Sequence, residues 1–516
     1  MKIIQHFCLT SSALLLSACA GLPTDLTAPH ALRDASLTSL TVPPHTADPL
    51  QWPQANAWDA WADPVLAALI QTALAQQPSL LQVQARVLQA QAAVGASEAA
   101  RGPQVNAAVD LTDQRFTKNG LVPPPLAGNV FWNNNAQLSA SWEWDLFGRQ
   151  QAAVAASVGA LRAASAEAQA ARVLLSAQVA AAYVTLARAV ENRNLSAATL
   201  AQRKEVFAIV KQRTSAGLDS TVELRQGEGS IAQAEVDLEA AAEQMTRARH
   251  GLAELSGQAA DALTALTPTL AAVRDVPLPQ ALPLDLLGRR ADLVAQRWRV
   301  EAATQDVAVA RAQFYPNINL VAFTGLSSLG LDSLLRAGSV TYGIGPALRL
   351  PVLDGGRLRA NLRSRAAEVD VAVEGYNAAL LRALREVADE VSSLQSLRRQ
   401  QVAQSTALQA AEAAFGLASQ RYQAGLGNFL VVLTAEANVL AQRRGAVDLK
   451  ARHLNAEVAL SRALGGGWQG LEAGTAAPVK PQASTAANQR GVATALATVG
   501  TTAATTPSPP TLKATP

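Results

Sequence analysis

Groups able to do bond-making chemistry are few in this chain. Its 516 residues hold two cysteines, Cys8 and Cys19, and five histidines, His6, His30, His45, His250 and His453. The histidines are scattered, with no spacing that would set two imidazoles around one ion, so no metal site is expected. The sequence has no Walker-type phosphate loop, no GxSxG elbow and no HExxH pair, and Gly343-Ile344-Gly345 lacks the third glycine of a dinucleotide loop. Glu143 and Asp145 are spaced like a candidate acid pair, but they close an alternating run, where fixing a strand-to-helix corner is the simpler role. Neither an enzyme nor a cofactor is expected. The 43 basic and 40 acidic residues are interspersed, giving a net charge of +3 without a basic block for nucleic acid.

Cys19 is the residue whose surroundings prescribe a reaction. Lys2 precedes an apolar stretch through Leu16, shorter than the roughly 20 residues a spanning helix needs and suited to a signal peptide. The stretch ends in Leu16-Ser17-Ala18-Cys19, which resembles a lipobox, where cleavage precedes a cysteine that is then acylated. Residues 1–18 are therefore read as a signal peptide and 19–60 as a lipidated lead. Several acyl chains anchor stably because each buried methylene contributes about 0.8 kcal/mol. No later run is read as a spanning helix, so any membrane-crossing part must be a β-barrel.

The elements come in two sets. Pro78 to Val109 has a counterpart in Ala291 to Ala322, with helix, proline and alternation in the same order. Trp142 to Arg149 (WEWDLFGR) corresponds to Leu350 to Arg357 (LPVLDGGR), and RTSAGL from Arg213 corresponds to RYQAGL from Arg421, both 208 residues apart. Repeat 1 is assigned to residues 61–265 and repeat 2 to 284–469, joined by a proline-containing linker at 266–283. The Ala-, Thr- and Pro-rich segment 470–516 is expected to be disordered.

Within each repeat the periodicity changes from short helices to two strands to a long helical hairpin. Val105, Ala107, Val109 and Leu111 alternate as a one-faced strand does, as do residues near 130–146, 317–328 and 339–352. Val179, Tyr183, Leu186 and Val190, and again Leu380, Leu384, Val387, Val391 and Leu394, trace heptad-like seams. A helix over 149–213 would be roughly 95 Å long at 1.5 Å per residue, with its hairpin turn at Gly217 and that of its counterpart at Gly425. Four strands cannot close a barrel, and an open edge in hydrocarbon costs several kcal/mol, roughly, per unpaired group. Strands lying in lipid therefore require several chains: three would supply twelve strands and two only eight. A coiled-coil periplasmic scaffold or adaptor without a pore is the competing reading.

The ordered series of motifs resembles the TolC-like outer membrane factor family, in particular its lipoprotein branch associated with resistance-nodulation-division efflux systems. It runs through Trp61-Ala62-Asp63-Pro64-Val65-Leu66, Ser141 to Arg149, Leu287 to Leu293, Phe314 to Ile318, Pro351 to Arg357 and Ala463 to Trp468. The resemblance implies an α+β membrane protein: a homotrimer with a twelve-stranded outer-membrane β-barrel continued by an α-helical coiled-coil barrel. It would be the passive exit of a tripartite pump exporting drugs or other small molecules. Its partners would be a periplasmic membrane-fusion adaptor, an inner-membrane efflux transporter and outer-membrane lipid. The hairpin tips at Gly217, Leu218, Gly425 and Leu426 would dock the adaptor, and Arg421 and Tyr422 match positions that latch related channels shut. Thr434 stands where an aspartate is common, so the acidic ring of related channels is missing there; Glu223 is the nearby residue placed to supply a substitute charge.

Overall fold

The computed structural model of the chain describes residues 28–33, 61, 63–272 and 290–466. Cys19, the signal segment, most of the lead, residues 273–283 of the linker and the tail lie outside the described residues. The chain divides into two units, Met1–Gln469 and Gly470–Pro516, and every described residue belongs to the first.

Two short helices come first among the described elements: α1 (Pro64–Gln76) and α2 (Pro78–Ala99). Strands β1 (Gln104–Arg115) and β2 (Val130–Trp144) follow, then a helical hairpin of α3 (Arg149–Ser215) and α4 (Thr221–Leu255). The second set is α5 (Ala291–Ala312), β3 (Asn317–Leu329), β4 (Val340–Arg349), α6 (Arg357–Gln423) and α7 (Phe429–Ala463). Corresponding helices have equal lengths: 22 residues for α2 and α5, 67 for α3 and α6, and 35 for α4 and α7. Unrelated halves would have no reason to match so closely.

The punctuation matches too. Gly217 and Gly425, at φ 75° and 74°, sit just past the ends of α3 and α6. Leu218 N donates to Arg213 O at 2.9 Å and Leu426 N to Arg421 O at 2.8 Å, the bond pattern that closes a helix on a left-handed residue. A side chain at that φ would strain the turn, which is why glycine occupies both places. At the other end of the first set, Asp63 caps α1 by accepting from Val65 N and Leu66 N, with Pro64 in the first turn.

The four strands make one antiparallel sheet in the order β1-β2-β3-β4, so each repeat contributes a hairpin and β2 pairs with β3 across the duplication. β1 and β4 are its two edges.

The long helices pack by small residues and aliphatic seams. Val179, Tyr183, Leu186 and Val190 of α3 are buried in one cluster with Leu66 and Ile70 of α1 and Leu454 of α7. Leu380, Val387, Val391 and Leu394 of α6 form the corresponding cluster with Leu460 and Ala463 of α7, and Leu384 lies against it. Each fully buried aliphatic side chain contributes about 1.5–3 kcal/mol, so these seams hold arms that no local propensity could. Gly159 lets α3 approach α5 closely: a Cβ there would lie 3.0 Å from the Cβ of Ala302.

One later helix passes a test of length and hydropathy that the sequence reading did not credit to any run after the signal segment. α3 contains a stretch apolar enough to cross a bilayer, with mean hydropathy 1.6. Its alanines are apolar because they pack: 61% of that stretch is buried among neighbouring helices. Length and hydropathy do not separate a buried core helix from a membrane span.

Candidate functional site

The strand register sorts the sheet into two unlike faces. Val105, Val109 and Leu111 of β1 share a face with Leu138, Trp142 and Trp144 of β2, because the partners are Val105 with Ala140, Ala107 with Leu138 and Val109 with Ala136. Carried on through Trp142 opposite Leu320 and Ala322 opposite Ile344, that face stays apolar to β4. The opposite face presents Asn106, Asp110, Asn135, Gln137, Ser139 and Asn319, among others. Val105, Val109, Trp144, Tyr342 and Ile344 are all exposed, so the described residues leave most of this face uncovered, with Asn134 opposite Leu111 a buried polar exception. A one-residue slip would exchange the faces, and the paired hairpins forbid it.

Trp132 and Trp142 stand ten residues apart on the apolar face, with Trp144 just beyond the second. Ten residues of strand at about 3.4 Å each and a tilt of about 40° span roughly 26 Å, close to the apolar band of an outer-membrane barrel. Tryptophans at both limits suit the water-lipid boundary, where an apolar ring with one polar N–H is at home. Trp142 Nε1 donates to Arg101 O at 2.9 Å.

At the sheet-to-helix corner, the two carboxylates are structural, as their place in the sequence suggests. Glu143 takes a two-pronged bond from Arg149, 2.9 Å from Nε and 2.5 Å from Nη2. Asp145 accepts from Gln150 N at 3.2 Å and Gln151 N at 2.8 Å, tying down the first turn of α3. Asp354 does the same for α6, accepting from Gly356 N and Leu358 N.

A second cluster of bonded side chains lies at the far ends of the helices. Arg213 near the end of α3 donates through Nε and Nη2 to Asp219, at 3.0 and 3.2 Å. Tyr422 near the end of α6 donates its hydroxyl to the same carboxylate at 2.5 Å. Asp219, whose side chain is only 9% exposed, thus joins the two hairpins within one chain. Burial pushes its pKa up, but the hydrogen bonds from Arg213 and Tyr422 outweigh that and hold it below 3.8. The Tyr422 hydroxyl is driven up by burial and by the neighbouring carboxylate, so it stays protonated as a donor. Its ring lies 4.8 Å from the Arg213 guanidinium and 5.8 Å from Phe429.

A second connection lies nearer the body of the helices. Arg203 of α3 donates to Glu436 of α7 at 3.1 Å and to Ser230 O of α4 at 2.8 Å, and Gln202 adds a bond to Glu436 at 3.3 Å. Glu436 is buried, which raises its pKa, and Arg203 offsets part of that rise.

Of the residues singled out in the sequence, Tyr422 is buried in the junction, whereas Arg421 is exposed and makes no ion pair among the described residues. Glu223 lies close enough to Asp219 to feel its charge but makes no bond into the Tyr422 junction. It completes a capping box with Ser220, accepting from Ser220 N at 2.9 Å and from Ser220 Oγ, and these bonds lower its pKa. Gly217, Leu218, Gly425 and Leu426 are exposed at the tips. Sequence reasoning missed Asp219, Arg203 and Glu436. For Asp219 the repeat offered a signal: position 427, its counterpart 208 residues on, is glycine, so the acid is an asymmetry within a duplication.

An uncovered apolar sheet face backed by a polar one, joined to helices far too long for a globular body, defines an outer-membrane channel subunit. The sequence model of the outer membrane efflux protein family matches residues 69–258 and 282–466, one stretch in each half, and the chain belongs to that family. The multidrug resistance outer membrane protein MdtP of Shigella flexneri is 32% identical over 470 residues, covering 89% of this chain and 95% of the relative. MdtQ of Escherichia coli O157:H7, also a multidrug resistance outer membrane protein, is 30% identical over 464 residues, 88% of this chain and 96% of its own. Among solved structures, the outer membrane protein VceC of Vibrio cholerae matches with a TM-score of 0.74 at 35% identity, over 81% of this chain and all of VceC. The chain is accordingly an outer-membrane efflux channel component, a transport protein and not an enzyme.

Proposed function

We propose that three copies of this chain close a twelve-stranded barrel, and that the helices continue it through the periplasm as the exit duct of a tripartite pump. The observation that carries the reading is the sheet with one apolar face, one polar face and two free edges. In lipid those edges must pair with neighbouring copies, β4 of one against β1 of the next, and closure turns the polar face inward to line a wet lumen. A scaffold without a pore has no use for such a face. The exported compounds are drugs or other small molecules, by analogy with the multidrug resistance named for MdtP and MdtQ. The energy comes from an inner-membrane transporter, reached through a periplasmic adaptor that docks at Gly217, Leu218, Gly425 and Leu426.

The Tyr422, Asp219 and Arg213 junction is the latch that keeps the periplasmic end shut, since separating the hairpins requires breaking it. Arg421, exposed beside it, is free to meet a neighbouring copy. Glu223 contributes negative charge at the mouth while retaining its cap. Cys19 carries the lipid anchor, and the geometry allows it. His30 N donates to Asp370 Oδ1 and Arg33 N to Asn377 Oδ1, so residues 28–33 lie along α6. Asp370 is roughly 20 Å along the helix from Arg357, and eleven residues reach at most about 40 Å. An acylated Cys19 can therefore reach the barrel's lower rim.

Single-channel recording in planar bilayers tests the core of the reading. Full-length protein should run as a trimer after cross-linking and conduct, weakly when latched. Folded trimer without conductance in either the wild type or an unlatched variant would sink it. Mass spectrometry tests the anchor: Cys19→Ala should lose the lipid-modified N-terminus.

A further inference from the structure

We propose that Asp110 sets the ionic preference of the barrel: repeated once per chain around the lumen, it makes the exit favour cations over anions. The inference rests on the proposed closure of several sheets into one barrel with the polar face inward.

The register decides where Asp110 stands. It pairs with Asn135, which pairs with Ser327, so it belongs to the face that carries Asn106, Gln137 and Asn319. Asp113, three residues further on, belongs to the other face, opposite Trp132. One strand thus holds two aspartates on opposite sides of the wall, the first toward the lumen and the second toward the lipid boundary. Asp110 is exposed and makes no side-chain bond among the described residues.

Its neighbours leave that charge unopposed. The other strand residues of the polar face are amides, hydroxyls, glycines and apolar side chains, apart from Glu143 and Arg349. Glu143 is taken by Arg149. Arg349 pairs with Asn317, ten residues along β3 from Ser327, a run of about 34 Å at 3.4 Å per residue. Closure about a symmetry axis repeats each residue at its own height, so no neighbouring copy brings its arginine level with an aspartate.

Distance gives the charge its reach. Twelve strands about 4.8 Å apart, tilted by about 40°, make a wall of radius roughly 12 Å. A carboxylate extending about 4 Å inward then lies about 8 Å from an ion on the axis, inside the Debye length of about 10 Å at 0.1 M salt and beyond that of about 3 Å at 1 M. By screened Coulomb attraction, three such charges enrich cations about threefold at 0.1 M and deplete anions about as much, a preference of about tenfold. No ion has to bind; the field in the lumen is enough.

Reversal potentials in planar bilayers, with KCl at about 10 mM on one side and about 100 mM on the other, test the proposal. The channel is full-length trimer carrying Asp219→Ala, so that the periplasmic end does not limit the current. Adding Asp110→Asn should lower the potassium-to-chloride permeability ratio about tenfold, a difference that fades near 1 M salt. Asp110→Glu should keep most of the preference and Asp113→Asn all of it. Glu223 is present throughout, so its contribution cancels in the comparison. If Asp110→Asn assembles poorly, Asp110→Ser should show the same loss. An unchanged ratio in conducting channels that lack the Asp110 carboxylate, or an equal shift from Asp113→Asn, would overturn the proposal. If wild-type protein neither trimerises nor conducts, the channel reading fails first and is identified by that readout.

Discussion

The two hairpin tips share a backbone and differ in chemistry. Both end on a glycine in the same left-handed geometry, with the same pair of closing bonds. Yet the first tip carries Asp219 and its own Arg213, whereas the second has Gly427 at the corresponding place and supplies Tyr422 instead. Duplication preserved what the turn requires of the backbone and released the side chains, so one tip became the acceptor and the other the donor. A latch between two hairpins needs that asymmetry: two identical acidic tips would repel, and two identical tyrosines would lack the charge that makes the bond strong.

The largest effect expected from disturbing this division is that of Asp219→Ala. It takes the shared acceptor from the half-buried Arg213 and from the Tyr422 hydroxyl. Conductance at low voltage should rise at least tenfold, read in planar bilayers, while Gly427→Ala should leave it near wild type. An unchanged Asp219→Ala channel would mean that the tips are held by something else. Glu436→Ala should come next, acting on stability: it leaves Arg203 without its carboxylate, and the thermal midpoint should fall by several degrees. Tyr422→Phe keeps the ring packed on Phe429 and removes only a hydrogen bond to a charged group, about 1.5–3 kcal/mol at most. Its conductance should lie between wild type and Asp219→Ala.

Glu223→Gln is expected to do least to the fold, because glutamine keeps an acceptor for the Ser220 N–H. It sharpens a separate point, because a shift of the reversal potential toward anions would assign Glu223 a charge role at the mouth, whereas an unchanged value would leave it only the cap. The same contrast predicts the response to acid. Asp219, with its pKa depressed below 3.8, contributes stability that is present above that value and lost as pH falls through its folded pKa. Glu436, with its pKa raised above 4.5, binds its proton more tightly when folded, so its contribution grows as pH falls through the raised value. Acidification from about pH 7 to 5 should therefore leave the latch closed. A conductance increase over that range, absent in Asp219→Asn, would contradict it.

Much of the scaffold was legible in the sequence because it is governed by period and punctuation. Val105 to Leu111 alternate and form β1; Val179 to Val190 step at helical spacing and are buried; Gly217 and Gly425 mark the turns. The junction was only half legible. Tyr422 came from family resemblance, but its acceptor Asp219 lies 203 residues away, and no local pattern announces a bond across that distance. Glu223 is ambiguous for a related reason. An acid after a Ser-containing turn reads equally as mouth charge or as a capping box, and here it accepts the Ser220 N–H.

The sheet's two edges are different strands, β1 and β4, so copies join head to tail and not face to face. That makes each subunit indispensable to its ring, with consequences for inheritance. A variant with one spoiled edge cannot be rescued by its neighbours: any ring that takes it in stays open. In a cell making equal amounts of sound and spoiled chains, only about one ring in eight would be wholly sound if three copies close it. Such an allele would behave as dominant, and the depth of its dominance would count the subunits.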